Sequence, residues 1–217
     1  MTPAPVVAFD LDDTLYSERD FLHSGWRAVA RAAASYGMEP DEAWRLMSTA
    51  PDAFDALHAA LPQMAVAEML HVYRTHIPDI TLYPGASDVL AQLHADGCPL
   101  AIITDGRGLS QRNKLMALGL DGVADYVSIS EEIGADKTSP LPFRRLMDAF
   151  PGRQYIYVGD NPAKDFAWPN RLGWLTVVLR EPHPGLNIHP QAVPAEAIYA
   201  PQRTVATLAD LPDVIAI

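Results

Sequence analysis

The sequence predicts an α/β fold: a parallel sheet with helices on both faces, interrupted early by an inserted α-helical segment. Three observations carry this prediction. Short apolar runs of strand-forming residues recur along the chain, helical spacings lie between them, and one long interval after the first run is helical throughout.

The first run, residues 5–9 (PVVAF), is apolar without alternation, as a strand covered on both faces should be. Residues 17–83 then carry three helical stripes: Phe21, Trp26, Val29, Ala30 and Ala33; Ala43, Leu46 and Met47; and Val66, Met69, Leu70 and Tyr73. Stripes of this kind pack on one another, so a small helical bundle inserted after strand one is expected. Ala86, Val89, Leu90 and Leu93 begin a regular alternation that continues with run 99–103 (PLAII) and a helix through Leu109, Leu115 and Leu118. Run 126–129 (YVSI), a helix from Leu141 to Phe150, and runs 154–158 (QYIYV) and 174–179 (WLTVVL) follow. Strand alternating with helix implies parallel pairing. Residues 181–202 contain Pro182, Pro184, Pro190, Pro194 and Pro201 and no periodicity, predicting an irregular crossing before a last helix near Leu208 to Ile215.

With 217 residues, 49% hydrophobic and 20% charged, the chain can bury the core of one large domain or of one domain with a modest insertion. A formal net charge of -11 leaves no general basic surface, which argues against nucleic acid as a partner. An anionic small molecule would need a local cation, and lysine is scarce: Lys114, Lys137 and Lys164 against thirteen arginines. The single cysteine, Cys98, excludes an intramolecular disulfide and sits in an apolar run that predicts a buried thiol. No stretch approaches a membrane span and the N-terminus lacks the pattern of a secretory signal, so a cytoplasmic protein without membrane contacts is expected.

In open parallel sheets ligands bind beyond the carboxyl ends of the strands, so the residues following each run are the informative ones. Strand one ends in Asp10-Leu11-Asp12-Asp13-Thr14 and strand two in Thr104-Asp105-Gly106-Arg107. The loop after strand three carries Gly134-Ala135-Asp136-Lys137, and strand four ends in Gly159-Asp160-Asn161, with Asp165 shortly after. Carboxylates gathered at one sheet edge cannot stay ionised side by side without a cation, and hard oxygen ligands favour magnesium over zinc. The seven histidines show no metal-ligand spacing and are expected to be surface or packing residues. Asp-x-Asp-x-Thr alone is a weak signal; the ordered set at four successive strand ends is a strong one.

That ordered set resembles the haloacid dehalogenase superfamily, whose members are mostly phosphatases on a Rossmann-like fold. The first motif is similar to Phe9-Asp10-Leu11-Asp12-Asp13-Thr14-Leu15, the second to Ile103-Thr104-Asp105-Gly106, the third to Lys137, and the fourth to Val158-Gly159-Asp160-Asn161 with Asp165. The resemblance implies a catalytic core of residues 1–16 and 84–217 and a helical cap of residues 17–83, as in the subgroup with a four- or five-helix lid. It implies Asp10 as the nucleophile forming an aspartyl phosphate and Asp12 as general acid, then base. Magnesium would be held by Asp10, the backbone carbonyl of Asp12 and Asp160. Thr104, Asp105 and Lys137 would bind the phosphoryl group, supported by Asp165, Gly106 and Asn161. Two positions depart from the family pattern: Asp105, where Asn is frequent, and Thr138, where Pro commonly follows the lysine. Asp13, pointing the opposite way along an extended segment, is not expected to act directly.

The expected function is magnesium-dependent hydrolysis of small phosphate monoesters, with sugar phosphates and nucleoside monophosphates as leading classes and either a monomer or a homodimer as the working unit. A phosphomutase on the same core is the alternative, and a non-catalytic binding protein retaining the fold is a second. Within the family, dehalogenation needs no acid at position 12, and phosphonate hydrolysis uses a cap lysine that residues 17–83 lack. The cap offers His23, Trp26, Arg27, Arg31, Trp44, Arg45 and Arg74 as candidate specificity residues, each of a type that more often serves as surface charge or core aromatic. Arg107 is the non-motif cation expected nearest the site.

Overall fold

The chain is described by a computed structural model covering residues 3–180, 187–189 and 191–215. Each apolar run forms a strand: β1 (Val6–Phe9), β2 (Leu100–Thr104), β3 (Tyr126–Ile129), β4 (Tyr155–Gly159) and β5 (Leu175–Leu179). A sixth, β6 (Arg203–Val205), was not expected from the sequence, since it is three residues long with two exposed. All pairs are parallel, in the order β3-β2-β1-β4-β5-β6. The chain builds outward from β1 to one side, then returns to place β4 on the other, so the strand order reverses at β1. Every residue of β1, β2 and β4 is buried, which explains their uninterrupted apolar runs.

Before β2 come helices α1 (Glu18–Ala33), α2 (Pro40–Thr49), α3 (Ala53–Ala60), α4 (Val66–Thr75) and α5 (Ala86–Ala95). After β2 lie α6 (Gly108–Ala117), α7 (Ser130–Ile133), α8 (Leu141–Ala149), α9 (Pro162–Asp165), α10 (Ala167–Arg171) and α11 (Leu211–Ile215). Alternate residues of β1 feed two cores. Val7 and Phe9 pack with Leu90, Leu93, Leu115 and Leu211 on one face, while Val6 and Ala8 pack with Phe143, Leu146, Phe166 and Trp174 on the other. Cys98 is buried in the first of these.

Helices α1 to α4 make a third apolar core of their own, with Val29, Ala33, Met47, Leu57, Met64 and Met69 at its centre. The chain leaves the sheet and returns to it side by side, through a bridge between Tyr16 and Leu82 and a bond from Tyr83 N to Leu15 O of 2.8 Å. Phe21, at the start of α1, packs into the sheet core instead, joining the two bodies.

Two expectations need revision. Leu109 is 55% exposed, so the buried side of α6 consists of Gly108, Gln111, Asn113, Lys114 and Leu115. The expected last helix splits into a 3-10 turn (Leu208–Asp210) followed by α11. Of the irregular crossing, residues 181–186 and 190 lie outside the described residues, and its later part contains a 3-10 turn at Ala197–Tyr199.

Candidate active site

The reversal of strand order at β1 opens a crevice beyond the strand ends, and there the chain places its acidic residues. β1 finishes its ladder with Asp10 N donating to Val158 O at 2.9 Å, leaving the Asp10 side chain at the strand end. The backbone then turns at Asp13, whose φ of 54° is left-handed, a conformation Asp tolerates better than most residues. Asp13 is buried and spends both oxygens on backbone: Oδ1 accepts from Glu18 N (2.8 Å) and Oδ2 from Ile188 N (3.0 Å). It ties the start of α1 to the C-terminal crossing.

β4 delivers the second group of carboxylates. Asp160 follows its last residue, and the short α9 folds Asp165 back toward it, where Asp165 Oδ2 accepts from Asn161 N at 2.8 Å. Asn161 caps α9 by accepting from Ala163 N. Gly159 is required here, because a Cβ on it would lie 2.5 Å from Asp165 Oδ2. Asp10, Asp160 and Asp165 each offer an oxygen within 4.8 Å of the others, and all three are buried.

Between them sits Lys137, also buried, 2.5 Å from Asp10 Oδ1 and 2.8 Å from Asp165 Oδ1. Asp105 accepts from Lys137 N at 3.1 Å, holding the lysine's own backbone in place. Gly106 takes a positive φ of 149° and donates from its N to Ser130 Oγ, pinning the end of β2 to α7.

One ammonium does not neutralise this cluster. Burial, despite opposition from Lys137 and with reinforcement from Asp165 and Asp12, pushes Asp10 up to about 8. Burial followed by repulsion from Asp165 and Asp10 pushes Asp160 up to about 9. Burial disfavours the charged form of Lys137, but Asp10 and Asp165 outweigh it and hold its ammonium well above the usual range. The donor set is all oxygen and short of positive charge, so it fits a hard metal ion.

Asp12 lies apart from this set. Its Oδ1 accepts from Tyr16 OH and pairs with Lys114 Nζ at 2.7 Å, and its Oδ2 accepts from Gln111 Nε2 at 2.9 Å. Burial works to raise Asp12, but Lys114 and the hydrogen bonds outweigh it and hold the carboxyl below its ordinary value. Thr104, buried at the end of β2, accepts from Gln111 Nε2 at 2.5 Å.

The crevice is a cavity of about 90 Å³ whose lining includes the carboxylates, Lys137, Asn161, Glu18, Lys164 and His189. Burial first, then the nearby Asp12, pushes Glu18 up to about 7. Thus all three lysines of the chain reach this region, where the sequence pointed to Lys137 alone. Lys114, Gln111, Glu18 and His189 were missed; the scarcity of lysine was the available signal for Lys114. Arg107 is not in the lining but exposed, 3.7 Å from Glu131. Of the candidate specificity residues, His23, Trp26, Arg27 and Trp44 pack on one another, with Arg27 over the Trp44 ring and His23 against Trp26 and Trp44.

A strand-end crevice of this composition defines a phosphoryl-handling hydrolase, and comparison with known proteins agrees. Residues 4–168 match the haloacid dehalogenase-like hydrolase family, and the chain belongs to that family. It is 32% identical over 195 residues to the glyceraldehyde 3-phosphate phosphatase of Methanopyrus kandleri, covering 80% of this chain and 83% of that protein. To the phosphoserine phosphatase of Thermus thermophilus it is 33% identical, covering 75% of this chain and 68% of that one. The magnesium-bound HAD-hydrolase YfnB of Bacillus subtilis superposes over 100% of both chains with a TM-score of 0.68 at 19% identity, showing the shared fold. The chain is therefore an enzyme, a phosphatase of the haloacid dehalogenase type. Among the described residues no helix is long and apolar enough to cross a membrane.

Proposed function

We propose that the enzyme hydrolyses small, soluble phosphate monoesters with Mg2+ as cofactor, through an aspartyl phosphate on Asp10. The observation that carries this reading is the buried cluster of Asp10, Asp160 and Asp165 around Lys137, with a second carboxylate, Asp12, held separately two residues from Asp10. Asp10, Asp160 and the Asp12 backbone carbonyl would hold the ion, with Asp165 beside them. Bound there, Mg2+ supplies the charge that lets two anions meet and neutralises the transferring phosphoryl.

An Asp10 oxygen attacks phosphorus as the bond to the leaving oxygen breaks, and Asp12 gives that oxygen its proton. Asp12 then takes a proton from water, whose oxygen attacks phosphorus and releases inorganic phosphate from Asp10. The ionised Asp12 of the resting site suits the second step; the negative charge of an arriving phosphate favours its protonated form for the first. Lys137, Thr104 and the backbone around Asp105 and Gly106 cradle the phosphoryl oxygens, with Asn161 and Asp165 supporting the cluster.

Residues 17–83 act as the cap over this core of residues 1–16 and 84–217, and the working environment is cytoplasmic. The crevice that receives the phosphoryl group is also lined by Glu18, Lys164 and His189, so the leaving group lies beside these three. Relatives named for glyceraldehyde 3-phosphate, phosphoserine and phosphoglycolate favour short phosphorylated sugars and acids over nucleoside monophosphates.

The test is release of inorganic phosphate from short sugar phosphates, phosphorylated acids and nucleoside monophosphates, with Mg2+ or chelator, alongside Asp10→Asn. Turnover that needs Mg2+ and vanishes in a folded Asp10→Asn protein is expected. Wild-type rate in either chelator or Asp10→Asn would overturn the reading.

A further inference from the structure

Helix α6 carries a group of polar side chains with no assigned role. Gln111 and Lys114, three residues apart and therefore on one helical face, are 1% and 4% exposed. Burying an ammonium costs several kcal/mol unless it is well paired, and a buried ion pair can often be replaced by apolar side chains at no loss of stability. Stability alone therefore gives no reason for Lys114. Its position does: Nζ lies 2.7 Å from Asp12 Oδ1 and 4.2 Å from the centre of the Phe21 ring, between the sheet and the first helix of the cap. Gln111 Nε2 donates to Asp12 Oδ2 and to Thr104 Oγ1, joining the proposed acid to the proposed phosphate cradle.

The adjacent surface of α6 is anchored in turn. Ser110 Oγ donates to Arg74 O at 2.8 Å, and Asn113 Nδ2 donates to Thr75 O at 3.1 Å and His76 O at 3.0 Å, so α6 binds the carbonyls that end α4. Helix ends leave such carbonyls without intrahelical partners. The helix is thus held between the cap and Asp12.

We propose that Lys114 and Gln111 are positioning residues for Asp12, fixing its carboxylate away from Asp10, Asp160 and Asp165 and facing the leaving group. The proposal rests on the reading of Asp12 as the acid and base of a phosphatase. Without these two donors only Tyr16 OH would hold the Asp12 carboxylate, and the side chain would sample rotamers that no longer meet the leaving oxygen. In the first step a misplaced Asp12 should slow only the transfers whose leaving oxygen needs a proton. Hydrolysis of the aspartyl phosphate uses the same carboxylate as base and should slow alike for every substrate, while substrate binding should stay as it was.

The experiment compares leaving-group release in a single turnover, with enzyme in excess and Mg2+ present, so that only the first step is read. Its substrates are benzyl phosphate, whose alkoxide must be protonated as it departs, and p-nitrophenyl phosphate, whose phenolate leaves without a proton. Lys114→Met should lower the single-turnover release of benzyl alcohol by about 10- to 100-fold, within the range general acid catalysis contributes. The half-saturation concentration and the single-turnover release of p-nitrophenolate should change by less than about threefold, and Lys114→Arg should recover part of the loss. Gln111→Met should show the same pattern more weakly, and it carries the test if Lys114→Met does not fold. An equal loss of single-turnover release on both substrates, a change confined to the half-saturation concentration, or no loss would overturn the proposal. Asp12→Asn on the same pair separates the two readings: selectivity there but not in the α6 variants sinks the positioning role alone. If Asp12→Asn is unselective, the acid assignment falls and takes the positioning role with it.

Discussion

Adding Mg2+ to chelated protein should stabilise the fold, and the gain should be larger at pH 8.5 than at pH 6 by about 2 kcal/mol or more. In the unfolded chain Asp10 and Asp160 ionise near the ordinary carboxylate value, about 3.9. In the folded chain without metal they hold their protons up to about 8 and about 9. Between those limits the native state binds more protons than the unfolded state, so stability falls as pH rises. At about 1.4 kcal/mol per pH unit, a rise from 3.8 to about 8 corresponds to about 6 kcal/mol for Asp10. That is a large share of a typical domain's roughly 5–15 kcal/mol.

A bound divalent cation reverses the sign, because it favours the ionised forms and so competes with protons below pH 8. At a concentration 100 times its Kd it adds about 2.7 kcal/mol. For a chain of this size that is about 5–10 °C in Tm. Thermal unfolding in chelator and in Mg2+ at the two pH values measures the effect, with Asp160→Asn as control. A gain of the same size at both pH values, or one that survives intact in Asp160→Asn, would refute the argument that the carboxylates of Asp10 and Asp160 hold the ion.

Three further outcomes follow from the geometry. Asp13→Ala should lose the acceptors of Glu18 N and Ile188 N and lower stability by about 1–3 kcal/mol, with Asp13→Asn milder because it tolerates the left-handed backbone; urea midpoints decide. Gly159→Ala should push Asp165 from Lys137 and reduce kcat at least about tenfold, through a Cβ 2.5 Å from Asp165 Oδ2; unchanged turnover would mean that Asp165 is not needed where it stands. Cys98, 1% exposed and with its thiol pushed up by burial, should resist alkylation in the native protein and react readily in urea.

The legible parts of this molecule are those where one physical constraint acts on consecutive residues. β1, β2 and β4 are buried on both faces, so each is written as an unbroken apolar run. The direction of a parallel strand then fixes where its last side chain must lie, which is why Asp10, Thr104 and Asp160 could be assigned to one edge before any coordinates. β6 escaped notice because an edge strand of three residues, RTV, buries only Val205. Arg107 misled for a related reason: proximity to the end of β2 in sequence says nothing about which way a long exposed side chain turns, and it turns to Glu131.

What the sequence hid most completely is the environment of Asp12. Its partners Gln111 and Lys114 are 99 and 102 residues away, and no local pattern connects them. Their helix nonetheless left a trace. A helix covering a parallel sheet should show a clear apolar stripe, and α6 does not: Leu109 and Met116 face solvent while Gln111, Asn113 and Lys114 are buried. Polar side chains take the inward positions because this helix faces Asp12 and the end of α4, besides hydrocarbon from the sheet. A crossover helix that follows a chemistry-bearing strand end and lacks the expected stripe is thus a physical reason to look there for residues that orient the reacting groups.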